Sequence, residues 1–125
     1  ANALEHWRKT VGDDRLAAVV ARDVDGDGAV EIALASHSGF VALLAADGTV
    51  QWVRYAANQV TDLIAVGDGG ALARTSRDGS LVVLDAAGDE LGRWNGGEPL
   101  RMVAADGRLL VAAGETRLLA ARWSG

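Results

Sequence analysis

Carboxylate side chains alternate with other residues in one short stretch of the chain. Residues 23–31 read DVDGDGAVE, a DxDxDGxxE pattern whose oxygen atoms at alternate positions can surround a hard cation. Gly28 permits the backbone reversal that such a loop needs. Several protein oxygens at flexible distances suit Ca²⁺ better than Mg²⁺, so we expect a calcium site, with an ion-free acidic turn as the alternative. The expected ligands are the carboxylates of Asp23, Asp25, Asp27 and Glu31 and the main-chain oxygen of Ala29.

The elements that position this loop follow from an internal repeat. Trp7, Trp52 and Trp94 are separated by 45 and 42 residues, and each ends a short amphipathic run. The segments GFVALLAA and GSLVVLDA precede the second and third of these tryptophans. Asp-Gly pairs between apolar runs predict β-hairpins with type I′ turns. A sustained 3.6-residue period is missing from the sequence, so we predict no helix.

The repeat predicts three units of short strands. Four short antiparallel strands in each unit describe a β-propeller blade, and continuous apolar strands suit sheets that are covered on both faces. A plain β-sandwich is the alternative, although it does not require a tryptophan-marked repeat. The predicted strands are 16–21, 30–35, 40–45 and 50–53 in the first unit, 60–66, 71–75, 81–84 and 90–94 in the second, and 100–104, 109–113 and 117–121 in the third.

The predicted fold class is therefore all-β, with three four-stranded antiparallel propeller blades per chain. The assigned segments are a closing outer strand at 1–8, blade one at 9–54, blade two at 55–95 and a three-stranded blade three at 96–125. Three blades cannot close a ring, because propellers contain about four to eight. We expect the N-terminal strand of one copy to complete blade three of its partner, so that a homodimer forms one six-bladed propeller. Because the chain starts with Ala1 instead of Met, a truncated or engineered propeller fragment without a biological ligand stays open.

The stretch from Asp23 to Trp52 carries a more specific resemblance. It reads DVDGDGAVEIALASHSGFVALLAADGTVQW and resembles bacterial propellers of the FG-GAP/integrin-α type, combined with the blade pattern of PQQ-like quinoproteins. The resemblance implies that the acidic loop binds Ca²⁺ between the first two strands of a blade. Units two and three carry only short Asp-Gly turns at this place, Asp68-Gly69-Gly70 and Asp106-Gly107, so we expect one calcium ion per chain.

The composition of the chain argues against some classes of binding partner. The net charge is −5 and there is no basic stripe, which argues against nucleic acid and anionic membranes. No apolar stretch approaches the roughly 20 residues of a membrane-spanning helix. The chain has no cysteine, so it has neither disulfides nor thiolate metal sites. The compartment stays open, although a calcium loop favours an extracellular or periplasmic location.

Other residues with chemical potential have plainer interpretations. We expect His6 and His37 to lie on the surface, and the triplet 36–38 (SHS) to be a poor catalytic pair because neighbouring strand residues point to opposite faces. The repeated tryptophans are interpreted as blade-to-blade packing residues, with sugar stacking as the alternative. Short loops leave little material for a catalytic site, so we predict a non-catalytic scaffold or binding module and, as an alternative, a lectin-like propeller that binds carbohydrate. The arginines expected on solvated edges are Arg74, Arg77, Arg93, Arg101 and Arg108.

Overall fold

A computed structural model describes residues 4–12, 14–56, 58–67 and 70–123 of the chain. Within these ranges the secondary structure consists of β-strands, and no helix is present that could cross a membrane. The strands are β1 (Leu16–Arg22), β2 (Glu31–Ser36), β3 (Phe40–Ala45), β4 (Val50–Tyr55), β5 (Val60–Val66), β6 (Ala71–Ser76), β7 (Ser80–Asp85), β8 (Glu90–Asn95), β9 (Met102–Asp106), β10 (Leu109–Ala113) and β11 (Leu118–Arg122).

These strands form three antiparallel sheets in chain order. Blade one contains β1 to β4, blade two contains β5 to β8, and blade three contains β9 to β11. The all-β partial propeller expected from the repeat is confirmed, and the predicted bounds of β3, β5 and β10 match at both ends. The predicted outer strand at 1–8 pairs with no strand in the described part of the chain: residues 4–8 are not in a strand, and residues 1–3 lie outside the described ranges.

The hairpin turns differ from the predicted type I′. Gly39 N–H donates to the Ser36 carbonyl at 3.0 Å, and Gly79 N–H donates to the Ser76 carbonyl at 3.1 Å. Both glycines have positive φ, whereas none of the other described residue types does. A type I′ turn needs positive φ at both central positions, so these turns instead place a single left-handed glycine after a right-handed turn. One left-handed glycine is enough to reverse the direction of the chain, which is why the Asp-Gly pairs still mark hairpins.

The core lies between the blades, where apolar side chains from facing sheets pack together. One cluster joins blades one and two and includes Val41, Leu43, Leu63 and Leu72, and a second joins blades two and three around Leu110. The inner strands β2, β3, β6 and β7 are buried almost throughout. Neighbouring blades cover both faces of β6 and β7, whereas β2 and β3 are covered by blade two on one face and by the N-terminal segment on the other.

The two outermost sheet faces differ in how far they are covered. On blade one, Leu34, Phe40 and Leu44 are buried, and Val11 from the N-terminal segment packs against them. On blade three the corresponding outward face is open, with Met102 at 51% and Leu118 at 75% exposure. The described chain is therefore an arc with one apolar face largely covered and the other bare.

Arg74 contradicts the expectation of a solvated edge. It lies in the middle of β6, is 6% exposed, and is surrounded by strand residues that are all buried. Burial of a charged side chain is costly unless its hydrogen bonds are made, so this position needs a physical explanation beyond strand formation.

Candidate functional site

The acidic loop of residues 23–30 connects β1 to β2 and is organised by its own carboxylates. The two carboxylate oxygens of Asp23 accept hydrogen bonds from the backbone N–H groups of Gly26 and Gly28, both at 2.8 Å. Gly28 has φ of +87°, the left-handed conformation that the sequence predicted for it. Asp27 Oδ1 accepts from the N–H of Ala29 at 2.8 Å. These bonds fold the loop back on itself, so that its side-chain oxygens converge.

Glu31 closes the base of the loop from the first position of β2. Its side chain is buried at 2% exposure, and Oε1 accepts from the N–H of Val24 at 2.7 Å and of Asp25 at 3.2 Å. Val24, at 1% exposure, belongs to the core between blades one and two. The loop is thereby tied both to its own sheet and to the interface with the next blade.

The four predicted carboxylates come together. One oxygen from each of Asp23, Asp25, Asp27 and Glu31 lies within 4.8 Å of the others, and this is the one such acidic group within the described residues. The salt bridges found there, Arg8–Glu5, Arg93–Glu90 and Arg117–Glu98, do not involve the loop. The cluster therefore concentrates negative charge, and no cation from the described part of the chain is paired with it.

The ionisation of the loop reflects this crowding. The N–H of Gly28 is the main reason that the pKa of Asp23 lies below its ordinary value. The N–H of Asp27 exerts the largest influence on Asp25 and lowers its pKa, yet desolvation and the carboxylates of Asp27 and Glu31 outweigh it, so the pKa of Asp25 is raised. A raised pKa beside other carboxylates is what mutual repulsion produces.

The donor set fits a hard divalent cation. Calcium coordinates six to eight oxygen atoms at about 2.3–2.6 Å, so oxygens on opposite sides of the ion lie about 4.6–5.2 Å apart. Carboxylate oxygens within 4.8 Å of one another can meet that requirement. Ala29 contributes its N–H to the loop, and its carbonyl as a ligand stays a prediction. The loop Asp68-Gly69-Gly70 of blade two lies partly outside the described residues, since residues 68 and 69 are not described.

Two tryptophans make the same contact with the blade that follows them. The indole N–H of Trp52, on the outer strand of blade one, donates to the Ala86 carbonyl of blade two at 2.9 Å. The indole N–H of Trp7 donates to the Ala46 carbonyl of blade one, also at 2.9 Å. Ala46 and Ala86 occupy equivalent places in blades one and two. Ala46 follows Ala45, which pairs with the first residue of β2, and Ala86 follows Asp85, which pairs with the first residue of β6. Trp7 thus occupies the place of an outer-strand tryptophan belonging to a blade before blade one.

Glycine allows both indole rings to approach the turn. A Cβ atom at Gly48 would lie 3.5 Å from the ring of Trp7, and one at Gly88 would lie 3.0 Å from the ring of Trp52. The same turn geometry therefore receives the ring at two successive positions around the arc. This recurrence shows that the N-terminal segment is placed against blade one and not against the last sheet of its own chain.

Trp94 departs from the register that its spacing suggested. In blade one, Leu43 of β3 pairs with Trp52. In blade two, Val83 of β7 is the equivalent of Leu43, and it pairs with Gly92 instead of Trp94. A Cβ atom at Gly92 would lie 2.9 Å from the ring of Trp94, so that ring lies over the glycine from two positions further along. The side chain still packs between blades two and three, which supports its interpretation as a packing residue.

Blade three has a free edge and a bare face in the described structure. Its strands run β11, β10, β9, so β11 has a neighbour on one side only. Leu118, at 75% exposure, occupies the place that Val41 holds in blade one and Leu81 holds in blade two, which are 1% and 0% exposed. Trp123 packs with the core between blades two and three, and the Arg108 guanidinium lies 5.0 Å from its ring centre.

The remaining candidates from the sequence make hydrogen bonds or contacts with neighbouring side chains. Ser36 and Ser38 hydrogen-bond through their hydroxyl oxygens at 2.8 Å, while His37 Nδ1 contacts the side-chain amide of Gln59. His6 is exposed, as expected, and His37 is partly buried. The burial of Arg74 was not predicted from the sequence, and the signal for it was the alignment of Arg74 with Leu34, an apolar position of blade one.

Comparison with solved structures agrees with the propeller architecture. One match is a chain of a humanized mutant of the Chaetomium thermophilum Polycomb Repressive Complex 2 bound to the inhibitor GSK126, with a TM-score of 0.82 and 14% identity. Another is a chain of an active polycomb repressive complex 2 in the basal state, with a TM-score of 0.80 and 15% identity. The alignments cover 94% and 91% of this chain but only 28% and 27% of those chains. These neighbours are β-propeller-like chains of the WD40 type, so the chain is a partial β-propeller.

Comparison of the sequence with known families and proteins identifies no relative. No protein-family model matches the chain, and no curated protein matches its sequence.

Proposed function

We propose that the chain is a non-catalytic, calcium-stabilised β-propeller scaffold whose blades assemble with a second copy into a six-bladed ring. The observation that carries this proposal is the position of Trp7, which contacts blade one as Trp52 contacts blade two. The N-terminal segment thereby marks where the outer strand of a preceding blade belongs. The assembly gives the scaffold two flat ends on which protein partners can bind, the kind of surface that complex-forming propellers use.

The strand pairing of the assembly follows from the repeat. Trp52 pairs with Leu43 on β3, and the residue of β11 equivalent to Leu43 is Ala120. In the proposed ring, Trp7 of one copy therefore lies opposite Ala120 of the other, while its indole keeps its contact with blade one of its own chain. Backbone groups along the free edge of β11 gain hydrogen-bond partners in this way.

The proposed junction also buries apolar surface. Met102 and Leu118 lie on the bare face of blade three, and in the ring they would pack against the opposite end of the arc, where the Val11 segment covers Leu34 and Leu44 of blade one. These two faces correspond to the sides that meet in the interfaces within the chain. Joining them gives each copy the same kind of contact on both ends of its arc.

The proposed metal is Ca²⁺, bound by the acidic loop as the resemblance to FG-GAP/integrin-α blades implies. The surrounding blade resembles the PQQ-like pattern. Asp23, Asp25, Asp27 and Glu31 would hold the ion through carboxylates, with the carbonyl of Ala29 as a further ligand. When bound, the ion neutralises the clustered carboxylates, and the loop stabilises the hairpin from which Val24 enters the inter-blade core. We expect one ion per chain.

Native mass measurement tests the assembly. The 125-residue chain should have twice its formula mass of 12.9 kDa by size-exclusion chromatography with light scattering. Trp7→Ala should shift the species toward monomer, while Leu91→Ala, at a partly exposed position on the outer strand of blade two within the arc, should leave the dimer intact. A folded monomer across the micromolar range would refute the ring.

Calcium titration tests the metal. Thermal stability should rise with added Ca²⁺, by about 2.7 kcal/mol when the free ion is 100 times its dissociation constant. Asp25→Asn should lose most of this gain and match the parent in calcium-free buffer. Asp14→Asn is the control, because its Oδ1 also accepts a backbone hydrogen bond on an exposed loop. Equal loss of stability with and without calcium in Asp25→Asn would contradict a metal role.

A further inference from the structure

A small cavity of about 160 Å³ lies between blades one and two at the outer rim of the arc. Arg54 and Tyr55 line it from β4, Glu90 and Arg93 line it from β8, and Arg74 and Val82 form its inner wall. Arg74, Val82 and Arg93 are paired in one row across β6, β7 and β8, so their side chains leave the same face of blade two. Three guanidinium groups therefore converge on one space.

Arg74 has spare donors that reach this cavity. Its Nη1 donates to the hydroxyl oxygens of Ser76 and Ser80, and it forms no salt bridge with a carboxylate among the described residues. Every buried side-chain nitrogen and oxygen there has a hydrogen-bond partner. The Nε and Nη2 atoms of Arg74 have no hydrogen-bond partner among the described residues, so they reach solvent even though the residue is only 6% exposed. Arg74 lines the cavity, so a ligand bound there is within reach of these donors.

The charge around Arg74 is not balanced within the protein. Burial and then the nearby charge of Arg93 lower the pKa of Arg74, while Asp78 and Glu90 act in the opposite direction. Asp78 Oδ1 already accepts hydrogen bonds from the N–H and the hydroxyl of Ser80. The Glu90 carboxylate forms a salt bridge with Arg93 at 2.6 Å. Two occupied carboxylates thus face three guanidinium groups.

The polar set is particular to blade two and is not part of the blade repeat. The residue equivalent to Arg74 is Leu34 in blade one and Ala112 in blade three. The residue equivalent to Ser80 is Phe40 in blade one, where Leu34 and Phe40 form an apolar cluster. The fold therefore accepts apolar residues here, and a buried guanidinium held by two hydroxyl groups is not needed to form a blade.

We infer that this cavity binds a small oxyanion, a carboxylate or phosphate group, held by the free guanidinium donors of Arg74 with Arg54 and Arg93 at the entrance. Planar guanidinium groups match the oxygens of carboxylate and phosphate, and hydrogen bonds between such charged groups are stronger than neutral ones. The volume of the cavity suits a group of a few heavy atoms. The apolar wall formed by Val82 and Leu84 accommodates the carbon atom that carries a carboxylate.

Anion titration of the full chain in calcium-free buffer tests this inference. Sodium phosphate and sodium acetate are added separately at constant ionic strength set with sodium chloride, and thermal stability and heat of binding are recorded. At least one of the two anions should give a saturable rise in melting temperature, and the one that does identifies phosphate or carboxylate as the ligand group. Arg74→Leu, which introduces the residue of blade one, should weaken that binding by about tenfold or more.

Two further variants separate anion binding from general stability. Arg93→Gln leaves the buried core untouched and should weaken anion binding, because it removes one converging charge. Arg77→Leu removes an exposed arginine outside the cavity, bonded to Gln59, and should bind the anion as the parent does. The inference is overturned if neither anion saturates in the parent, or if Arg74→Leu retains the parent's affinity.

Discussion

Leu118→Ala provides a sensitive test of the proposed ring. Leu118 is 75% exposed in the single chain, whereas its equivalents Val41 and Leu81 are buried by the next blade. Truncating an exposed side chain should hardly change the stability of one chain. The same truncation removes a contact that the proposed junction buries, so its effect should fall on association.

The size of that effect follows from the exposure. Burying a whole leucine side chain contributes about 1.5–3 kcal/mol, so burying the exposed three quarters of Leu118 contributes about 1–2 kcal/mol at each junction. A two-fold ring contains two identical junctions, which gives about 2–4 kcal/mol per dimer. At about 1.4 kcal/mol for each factor of ten, the dimer dissociation constant should rise roughly 30- to 700-fold.

Sedimentation equilibrium over a range of concentrations measures this constant. Leu91→Ala is the matched control, because Leu91 is a partly exposed leucine, at 47%, on the outer strand β8 within the arc. It should leave the dissociation constant within a factor of about three of the parent value. If Leu118→Ala and Leu91→Ala change association equally, or if Leu118→Ala changes only the stability of the monomer, the assigned junction is wrong.

Three further variants examine the blades themselves. Leu72→Ala, at a fully buried position between blades one and two, should lower the free energy of unfolding by about 2–5 kcal/mol in urea titrations. Trp52→Phe removes the hydrogen bond to Ala86 and should cost about 1 kcal/mol or more in the same assay. The pKa of Glu98 is lowered, first by the Thr116 N–H and then by its hydroxyl, so its ionised form stabilises the fold above about pH 4.3 and that contribution is lost as pH falls through the lowered pKa. Glu98→Gln should therefore make the melting temperature depend less on pH in the acid range.

The strands were predictable from the sequence because glycine turns bound continuous apolar runs. β3 follows Gly39 and β10 follows Gly107, and both match their predicted bounds. The acidic loop was predictable for a similar reason, since alternating carboxylates with two glycines fold locally and bring their oxygens together. Local patterns of this kind need little information from the rest of the chain.

The burial of Arg74 and the register of Trp94 depend on contacts between distant parts of the chain. A charged residue inside a strand is expected from the sequence to be exposed. Arg74 is buried because blade one packs against blade two. Spacing alone placed Trp94 beside Trp52 in the repeat, but the equivalent position holds Gly92, over which the ring of Trp94 lies. A large side chain can reach a site from a neighbouring position, so tryptophan spacing measures ring placement more reliably than strand register.

The number of blade interfaces explains why the arc should close as a dimer and not extend. Each chain contains two interfaces between blades, and a ring of two chains contains those four and two junctions. Because the second junction of the ring forms within an already associated pair, it benefits from a high effective concentration. An open row of copies gains only one junction for each added chain, so it cannot compete with a ring whose ends meet without strain. Weakening the junction should therefore convert dimer directly to monomer, and a ladder of larger species would show that the curvature of the arc does not close at six blades.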